Sequence, residues 1–328
     1  MKIAIIGAGA WGTTLALLFA ENKHSVTLWA REAEVAGSIN EFHENKMYLP
    51  GFQLPAAIEA TPRLTCLKEA DLALFVVPTQ YLRGVAREAK ELINRKALIV
   101  SAGKGIEEGT RRLPAEIIKE ELNCCGEACV LSGPNLSKEI ARGLPAAAVV
   151  AAADRELALA VQKSLLSGRF RVYTNDDVIG VQLGGALKNV IAIASGIVDG
   201  LQLGDNAKAA LLIRGIAEIT RLGIAMGGKR ETFAGLSGMG DLITTCSSQL
   251  SRNHQVGTSL AEGKSIKEIM AGKKEVAEGV PTTIAALELS REYKVELPIA
   301  RQVHNVLYQG KKPYEAITEL MSRDATSE

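Results

Sequence analysis

Lys188 and Asn189 form a polar pair inside a long apolar segment, Gly180-Val181-Gln182-Leu183-Gly184-Gly185-Ala186-Leu187-Lys188-Asn189-Val190-Ile191-Ala192-Ile193-Ala194. Leu187, Val190, Ile191 and Ala192 cover several faces of the helix this segment predicts. That favours a partly buried ammonium at Lys188 over a surface lysine reaching out to water. Desolvation and a neighbouring cation ease proton exchange from such a group near neutrality. Glycine costs a helix up to about 1 kcal/mol against alanine, so Gly180, Gly184 and Gly185 together imply a backbone pressed against a neighbour. Further on, residues 235–246 read as a glycine-rich loop running into a helix. Asp241 there is either a functional carboxylate or a plain N-cap. Ser251-Arg252-Asn253-His254 puts a forked cation beside hydrogen-bonding side chains. That set suits a phosphate or a carboxylate, and a surface turn is the plainer reading. His254 reads as structural beside these stronger candidates. Glu275 to Pro281 sets an acid before a glycine–proline turn, which alone says little.

These groups need a frame, and the first half of the chain supplies one. Lys2-Ile3-Ala4-Ile5-Ile6 is an apolar run of strand length, followed at once by Gly7-Ala8-Gly9-Ala10-Trp11-Gly12 and a predicted helix over 13–22. G-x-G-x-x-G is weak alone, but between strand and helix it suits a dinucleotide. Gly7 permits the tight turn, Gly9 lets backbone approach a pyrophosphate, and Gly12 lets helix pack on strand. The second strand, 25–29, ends in Trp29-Ala30-Arg31-Glu32. Arg31 stands where a guanidinium can hold a 2′-phosphate or stack on adenine; Glu32 competes for the ribose but better suits the opening of the next helix, and the balance leans to NADP or dual use. A solvated surface residue is the plain alternative for Arg31.

Further apolar runs at 72–77, 97–100, 128–131, 146–153 and 169–173 alternate with helical patterns such as 81–93 and 112–122. This predicts a doubly wound, mostly parallel Rossmann-type sheet. Ligands in such sheets bind at the carboxyl ends of strands. The loops there are Pro78-Thr79-Gln80, Ser101-Ala102-Gly103-Lys104-Gly105-Ile106 and Ser132-Gly133-Pro134-Asn135-Leu136-Ser137-Lys138-Glu139. Beyond Tyr173 strands give way to helical patterns at 178–201, 206–222, 265–270, 282–293 and 299–307. The chain therefore divides into a dinucleotide-binding domain, 1–174, and an all-α domain, 175–328, with a frayed tail from Ser322.

At 328 residues with 47% hydrophobic and 23% charged side chains, the composition is that of a soluble α/β protein. The net charge of +1 provides no global field for nucleic acid or an acidic membrane. No apolar run approaches the roughly 20 residues of a membrane span, and the glycine turn interrupts any signal-peptide pattern. Five cysteines form no evident disulfide framework, which suggests a reducing cytoplasm. Cys124, Cys125 and Cys129 offer no metal spacing and read as buried or incidental thiols.

In their order along the chain these motifs resemble bacterial NAD(P)-dependent glycerol-3-phosphate dehydrogenases. The match includes the glycine turn with Trp11, Trp29-Ala30-Arg31, Asn45-x-x-Tyr48-Leu49-Pro50-Gly51 and Ser101-x-Gly103-Lys104-Gly105. It continues through Leu131-Ser132-Gly133-Pro134, Gly185-Ala186-Leu187-Lys188-Asn189, Gly238-x-Gly240-Asp241-Leu242, Ser251-Arg252-Asn253 and Val276-x-Glu278-Gly279. The resemblance implies Lys188 as general acid–base, with Lys104 near the substrate adding positive potential and Asp241 supporting the site. It implies that Arg252 and Asn253 hold the substrate's phosphate, with Gly133, Asn135, Asn189 and Ser251 lining the pocket. For the cofactor, NADPH or NADH, it implies Gly7, Gly9, Ala10, Trp11, Gly12, Arg31, Tyr48, Lys104, Ser137, Arg252, Val276 and Glu278. No metal is implied. The implied reaction interconverts dihydroxyacetone phosphate and sn-glycerol 3-phosphate, supplying phospholipid synthesis, in a cytoplasmic homodimer. Many bacterial members carry Ser or Thr at position 10, Ser at 135 and Ala at 137, so Ala10, Asn135 and Ser137 alter single contacts. The rival readings are a β-hydroxyacid dehydrogenase, which should lack Asp241 with Arg252-Asn253, and a redox-sensing dinucleotide-binding module, which has no need of Lys188.

Overall fold

Short apolar runs become buried strands because a parallel sheet covered by helices hides both faces of each strand. The structure is a computed structural model that describes residues 1–123, 126–271 and 277–323. Among these, eight strands form one sheet: β1 (Lys2–Ile6), β2 (Ser25–Trp29), β3 (Ile58–Thr61), β4 (Leu72–Phe75), β5 (Leu98–Ser101), β6 (Cys129–Ser132), β7 (Ala146–Ala151) and β8 (Phe170–Asn175). Their order is β3-β2-β1-β4-β5-β6-β7-β8. All neighbours are parallel except β6 and β7. The order reverses between β1 and β4, so the crevice at their carboxyl ends is the expected ligand position. Six helices connect the strands: α1 (Ala10–Glu21), α2 (Ala33–Phe42), α3 (Thr79–Ala89), α4 (Pro114–Leu122), α5 (Ser137–Ala141) and α6 (Arg155–Leu165). The core between the layers includes Ile5, Leu15, Leu18, Phe19, Leu28, Leu74, Val100, Leu131 and Phe170.

The edge strand β3 has no continuous apolar run. Only alternate residues of Ile58-Glu59-Ala60-Thr61 turn inward, so nothing in its hydrophobicity announces a buried strand.

The helices that follow are α7 (Val178–Gly200), α8 (Gly204–Ala225), α9 (Arg230–Phe233), α10 (Asp241–Ser247), α11 (Arg252–Ala261), α12 (Ile266–Met270), α13 (Gly279–Glu292), α14 (Pro298–Tyr308) and α15 (Pro313–Met321). A π-helical turn, Leu236–Gly240, leads into α10. Two compact units emerge: Met1–Lys104 with Arg112–Val181, and Gly105–Arg111 with Gln182–Glu328. These units differ from a division after residue 174 in that 175–181 group with the sheet unit and 105–111 with the helical unit. Within that unit the Arg111 guanidinium pairs with Glu292 at 3.0 Å and Glu288 at 3.8 Å, both on α13. The expectation about apolar length also needs correction. Helix α7 is long and apolar enough to cross a membrane, but 89% of its most apolar window is buried inside the protein.

Candidate active site

The turn after β1 is shaped by what its glycines exclude. Gly7 takes φ +122°, and a Cβ there would sit 2.6 Å from the Val76 carbonyl. A Cβ on Gly12 would run into the Gly7 carbonyl, whereas one on Gly9 would meet nothing within 4 Å. Gly7 and Gly12 therefore close the turn, and Gly9 leaves the backbone open for a ligand to approach. Helix α1 begins at N-cap Gly9 with no side-chain cap and no acid in its first turn. Its leading amides and positive end suit an anion. The Trp11 indole N–H is buried without a protein partner. These features fit a dinucleotide pyrophosphate. Ala10 and Trp11 open the helix, and Thr14 Oγ1 lies 2.9 Å from the Ala10 carbonyl and 3.2 Å from that of Ser137, bringing 137 to this helix.

Asn45 anchors the next segment. It is fully buried, and its amide donates to the Ala8 carbonyl and to Thr13 Oγ1, both at 2.8 Å, while Oδ1 accepts from the Tyr48 backbone N–H at 3.1 Å. One side chain thus joins the glycine turn to the Tyr48 loop. Arg31 is 71% exposed in its side chain and pairs with Glu32 at 3.2 Å, so the two competing residues face each other. In the loops after β5 and β6, the Lys104 ammonium donates to the Gly133 carbonyl at 2.9 Å. Gly133 has φ +132° and lies against Ala147 and Ala148. The Asn135 amide donates to the Ala147 carbonyl at 3.2 Å, leaving its Oδ1 buried without a protein donor.

In the helical unit, Lys188 is 6% exposed and Asp241 1%. The Lys188 ammonium donates to Asp241 Oδ1 and to Thr245 Oγ1, both at 2.5 Å. The carboxylate supplies the counter-charge that a buried ammonium needs, and the hydroxyl gives it a second acceptor. Asp241 is the first helical residue of α10, with Gly240 at the N-cap. Its carboxylate goes to Lys188 rather than capping the helix, and the plain N-cap reading fails. Two contacts hold α10 and the π-helical turn before it on α7: a Cβ on Gly184 would meet the Ser237 carbonyl of the turn at 2.6 Å, and Ser195 Oγ donates to the Cys246 carbonyl of α10 at 3.1 Å. Gly184 thus explains why α7 tolerates glycine, whereas Gly180 instead serves the Asp177 cap, donating its N–H to Oδ1 at 2.8 Å. Burial pushes the Cys246 thiol up to about 12, so it stays inert.

Asn189 and Asn253 link α7 to α11. The Asn253 amide donates to Asn189 Oδ1 at 2.9 Å, and its own Oδ1 accepts from the Gly279 N–H at 2.9 Å. Ser251 caps α11, its Oγ accepting from the His254 N–H at 3.2 Å. Ser251 therefore spends its side chain on capping α11, and Asn253 spends its own on joining α7 to the start of α13. Arg252 is exposed at the head of α11. Glu278 stands at the N-cap position of α13.

Both halves of the chain match family models: the NAD-dependent glycerol-3-phosphate dehydrogenase N-terminus over 2–158 and C-terminus over 177–318. A glycerol-3-phosphate dehydrogenase (NAD(P)+) of Moorella thermoacetica is 48% identical over 329 residues, spanning 100% of this chain and 97% of the relative. The chain belongs to the NAD-dependent glycerol-3-phosphate dehydrogenase family. A Bacillus cereus relative of the same name is 46% identical over 98% of this chain and 96% of its own. The crystal structure of the Coxiella burnetii glycerol-3-phosphate dehydrogenase superposes with TM-score 0.94 at 39% identity, over 98% of this chain and 99% of that one.

Within this family framework the structure brings Lys188 to Asp241, Asn189 to Asn253, and Lys104 to Gly133. The glycine turn, Arg31, Tyr48, Lys104, Gly133, Asn135 and Ser137 belong to the sheet unit, and Lys188, Asp241, Ser251, Arg252, Asn253 and Glu278 to the helical one. Val276 lies outside the described residues, as do Cys124 and Cys125; Cys129 is a buried thiol, as expected. Sequence reasoning missed two residues. Thr245 carries a signal in hindsight, four positions after Asp241 on one helix face. Asn45 was visible only as a motif letter, since binding backbone leaves no pattern in hydrophobicity.

Proposed function

We propose that this protein reduces dihydroxyacetone phosphate reversibly to sn-glycerol 3-phosphate with NAD(P)H. The observation that carries the reading is a lysine ammonium buried in an apolar helix and held by a carboxylate and a hydroxyl. When bound, the reduced nicotinamide supplies hydride for the ketone carbon of the substrate. Lys188 donates the proton to the ketone oxygen, and in reverse accepts it from the hydroxyl. Its positive charge also stabilises the developing alkoxide. Asp241 and Thr245 hold the ammonium in one orientation and favour its protonated form. The amides at the start of α11, together with the Arg252 guanidinium, take the phosphate end of the substrate. Remote binding there becomes orientation at the ketone. Lys104, through the Gly133 carbonyl, shapes the loop containing Asn135 on the substrate side.

The first turn of α1, with Gly7, Gly9, Ala10, Trp11 and Gly12, receives the pyrophosphate, and Tyr48, Ser137, Val276 and Glu278 complete the cofactor contacts. Arg31 tilts the choice towards NADPH. Glu32, already engaged with Arg31, remains available to a ribose hydroxyl, which supports dual use. The free thiols of Cys66, Cys129 and Cys246 suit a reducing cytoplasm. We further infer a homodimer that supplies the glycerol backbone of phospholipids, on the family resemblance.

Lys188→Ala tests the reading. Turnover should fall by about three orders of magnitude or more while nucleotide affinity stays within about twofold. A variant that keeps its turnover removes Lys188 from the chemistry.

A further inference from the structure

Two residues along the chain from Arg252, at His254, stands a half-buried ion cluster that the proposed chemistry does not use. The His254 imidazole is 8% exposed, and its Nε2 lies 2.7 Å from Asp199 Oδ2, in the last turn of α7. The Lys208 ammonium of α8 donates to the same oxygen at 2.6 Å. Partial burial pushes the Asp199 carboxyl up, but hydrogen bonds and charge from Lys208 and His254 outweigh it and hold the group below its ordinary range. One carboxylate therefore ties together α7, α8 and α11. The backbone of His254 is fixed as well. Its N–H donates to Ser251 Oγ, and its carbonyl packs where a side chain on Gly196 would stand.

Two anchors hold the first turn of α11. Asn253 binds Asn189 near the catalytic lysine, and His254 binds Asp199 ten residues further along α7, about 15 Å at 1.5 Å per residue. A single anchor would leave the turn a pivot. Two anchors so far apart fix its direction, and with it the point from which Arg252 projects.

We propose that His254 is a positioning residue for substrate phosphate recognition, acting on Arg252 through its bond to Asp199 without touching the substrate. The inference rests on the phosphate role of Arg252. It separates from a merely structural histidine because the Asn189–Asn253 link and the Lys188 pair do not depend on it.

The test is steady-state kinetics on the full-length protein, varying dihydroxyacetone phosphate and nucleotide in turn. His254→Phe fills the space without the bond. It should raise KM for dihydroxyacetone phosphate about tenfold, the worth of one charge-assisted hydrogen bond, with kcat and nucleotide KM within about twofold. His254→Gln, whose amide can still reach Asp199, should recover most of the loss. Asp199→Ala cuts the same bond at a side chain that is 34% exposed, so it tests the link even where His254→Phe does not fold, and it should give the same split. In an Arg252→Ala background the His254 change should add little, because both act through one group. An unchanged substrate KM in folded His254→Phe or Asp199→Ala, beside a raised one in Arg252→Ala, overturns the positioning role alone. Equal losses for substrate, nucleotide and kcat also overturn it, as general disorder. An unchanged KM in Arg252→Ala overturns the phosphate reading and this inference with it.

Discussion

Three side chains carry the proposed chemistry. The Lys188 ammonium lies 2.5 Å from both Asp241 Oδ1 and Thr245 Oγ1, and Thr245 Oγ1 lies 3.3 Å from the same Asp241 oxygen. A buried ammonium without a counter-charge would shed its proton, and with one it stays charged and aimed. Asp241→Asn keeps an acceptor of the same size and removes the charge. We expect kcat to fall by about a hundredfold while nucleotide binding, measured by fluorescence titration, is unchanged. A kcat within threefold of the parent would make Asp241 a packing residue. This scale was the most legible in the sequence where polar residues interrupt an apolar run, as Lys188 and Asn189 do. It was least legible where a polar side chain serves backbone, as Asn45 does for Ala8 and Tyr48, or where a side chain has a plain local use available, as the supposed N-cap at Asp241 had.

Among the elements, α7 and α11 meet so closely that glycine is required on both. A Cβ on Gly196 would collide with the His254 carbonyl, and one on Gly257 with the Ile193 carbonyl. Gly37, exposed within α2, would meet nothing within 4 Å. In urea unfolding, Gly196→Ala should therefore cost about 2 kcal/mol or more, whereas Gly37→Ala should be neutral or stabilise by up to about 1 kcal/mol. Equal effects would deny the close crossing. The parallel strands were readable because burial on both faces leaves an unbroken apolar run, and β3 was not because an edge strand hides one face only. The head of α11 was unreadable for another reason. Ser251-Arg252-Asn253-His254 has no apolar period, and only the fold reveals that Ser251 caps a helix there.

At the scale of the whole molecule, one buried acid makes stability depend on pH. Glu218 on α8 is buried, and that burial raises its pKa to about 7 against the 4.5 of a free carboxyl, despite its bonds from the Ile299 and Ala300 N–H groups and the nearby Arg221 and Arg323. Between those values the folded chain holds a proton that the unfolded chain has lost. The stabilising contribution is complete below about 4.5 and is lost as pH rises through about 7. At 1.36 kcal/mol per pKa unit it amounts to about 3 kcal/mol. The stability of the parent relative to Glu218→Gln should decline by about that much between pH 4.5 and 8 in denaturant titrations, and a difference that is flat with pH would contradict the assignment. The two-part organisation was legible from the change of texture after Tyr173. The transfer of 105–111 to the helical unit was not, since Arg111 carries no mark of its partners Glu288 and Glu292. The central claim concerns the reaction, and dihydroxyacetone phosphate tests it directly. Purified protein given this substrate with NADPH or NADH should oxidise the nucleotide and yield an equal amount of sn-glycerol 3-phosphate, faster with NADPH. Folded protein that binds either nucleotide yet produces no glycerol 3-phosphate with both would contradict the account.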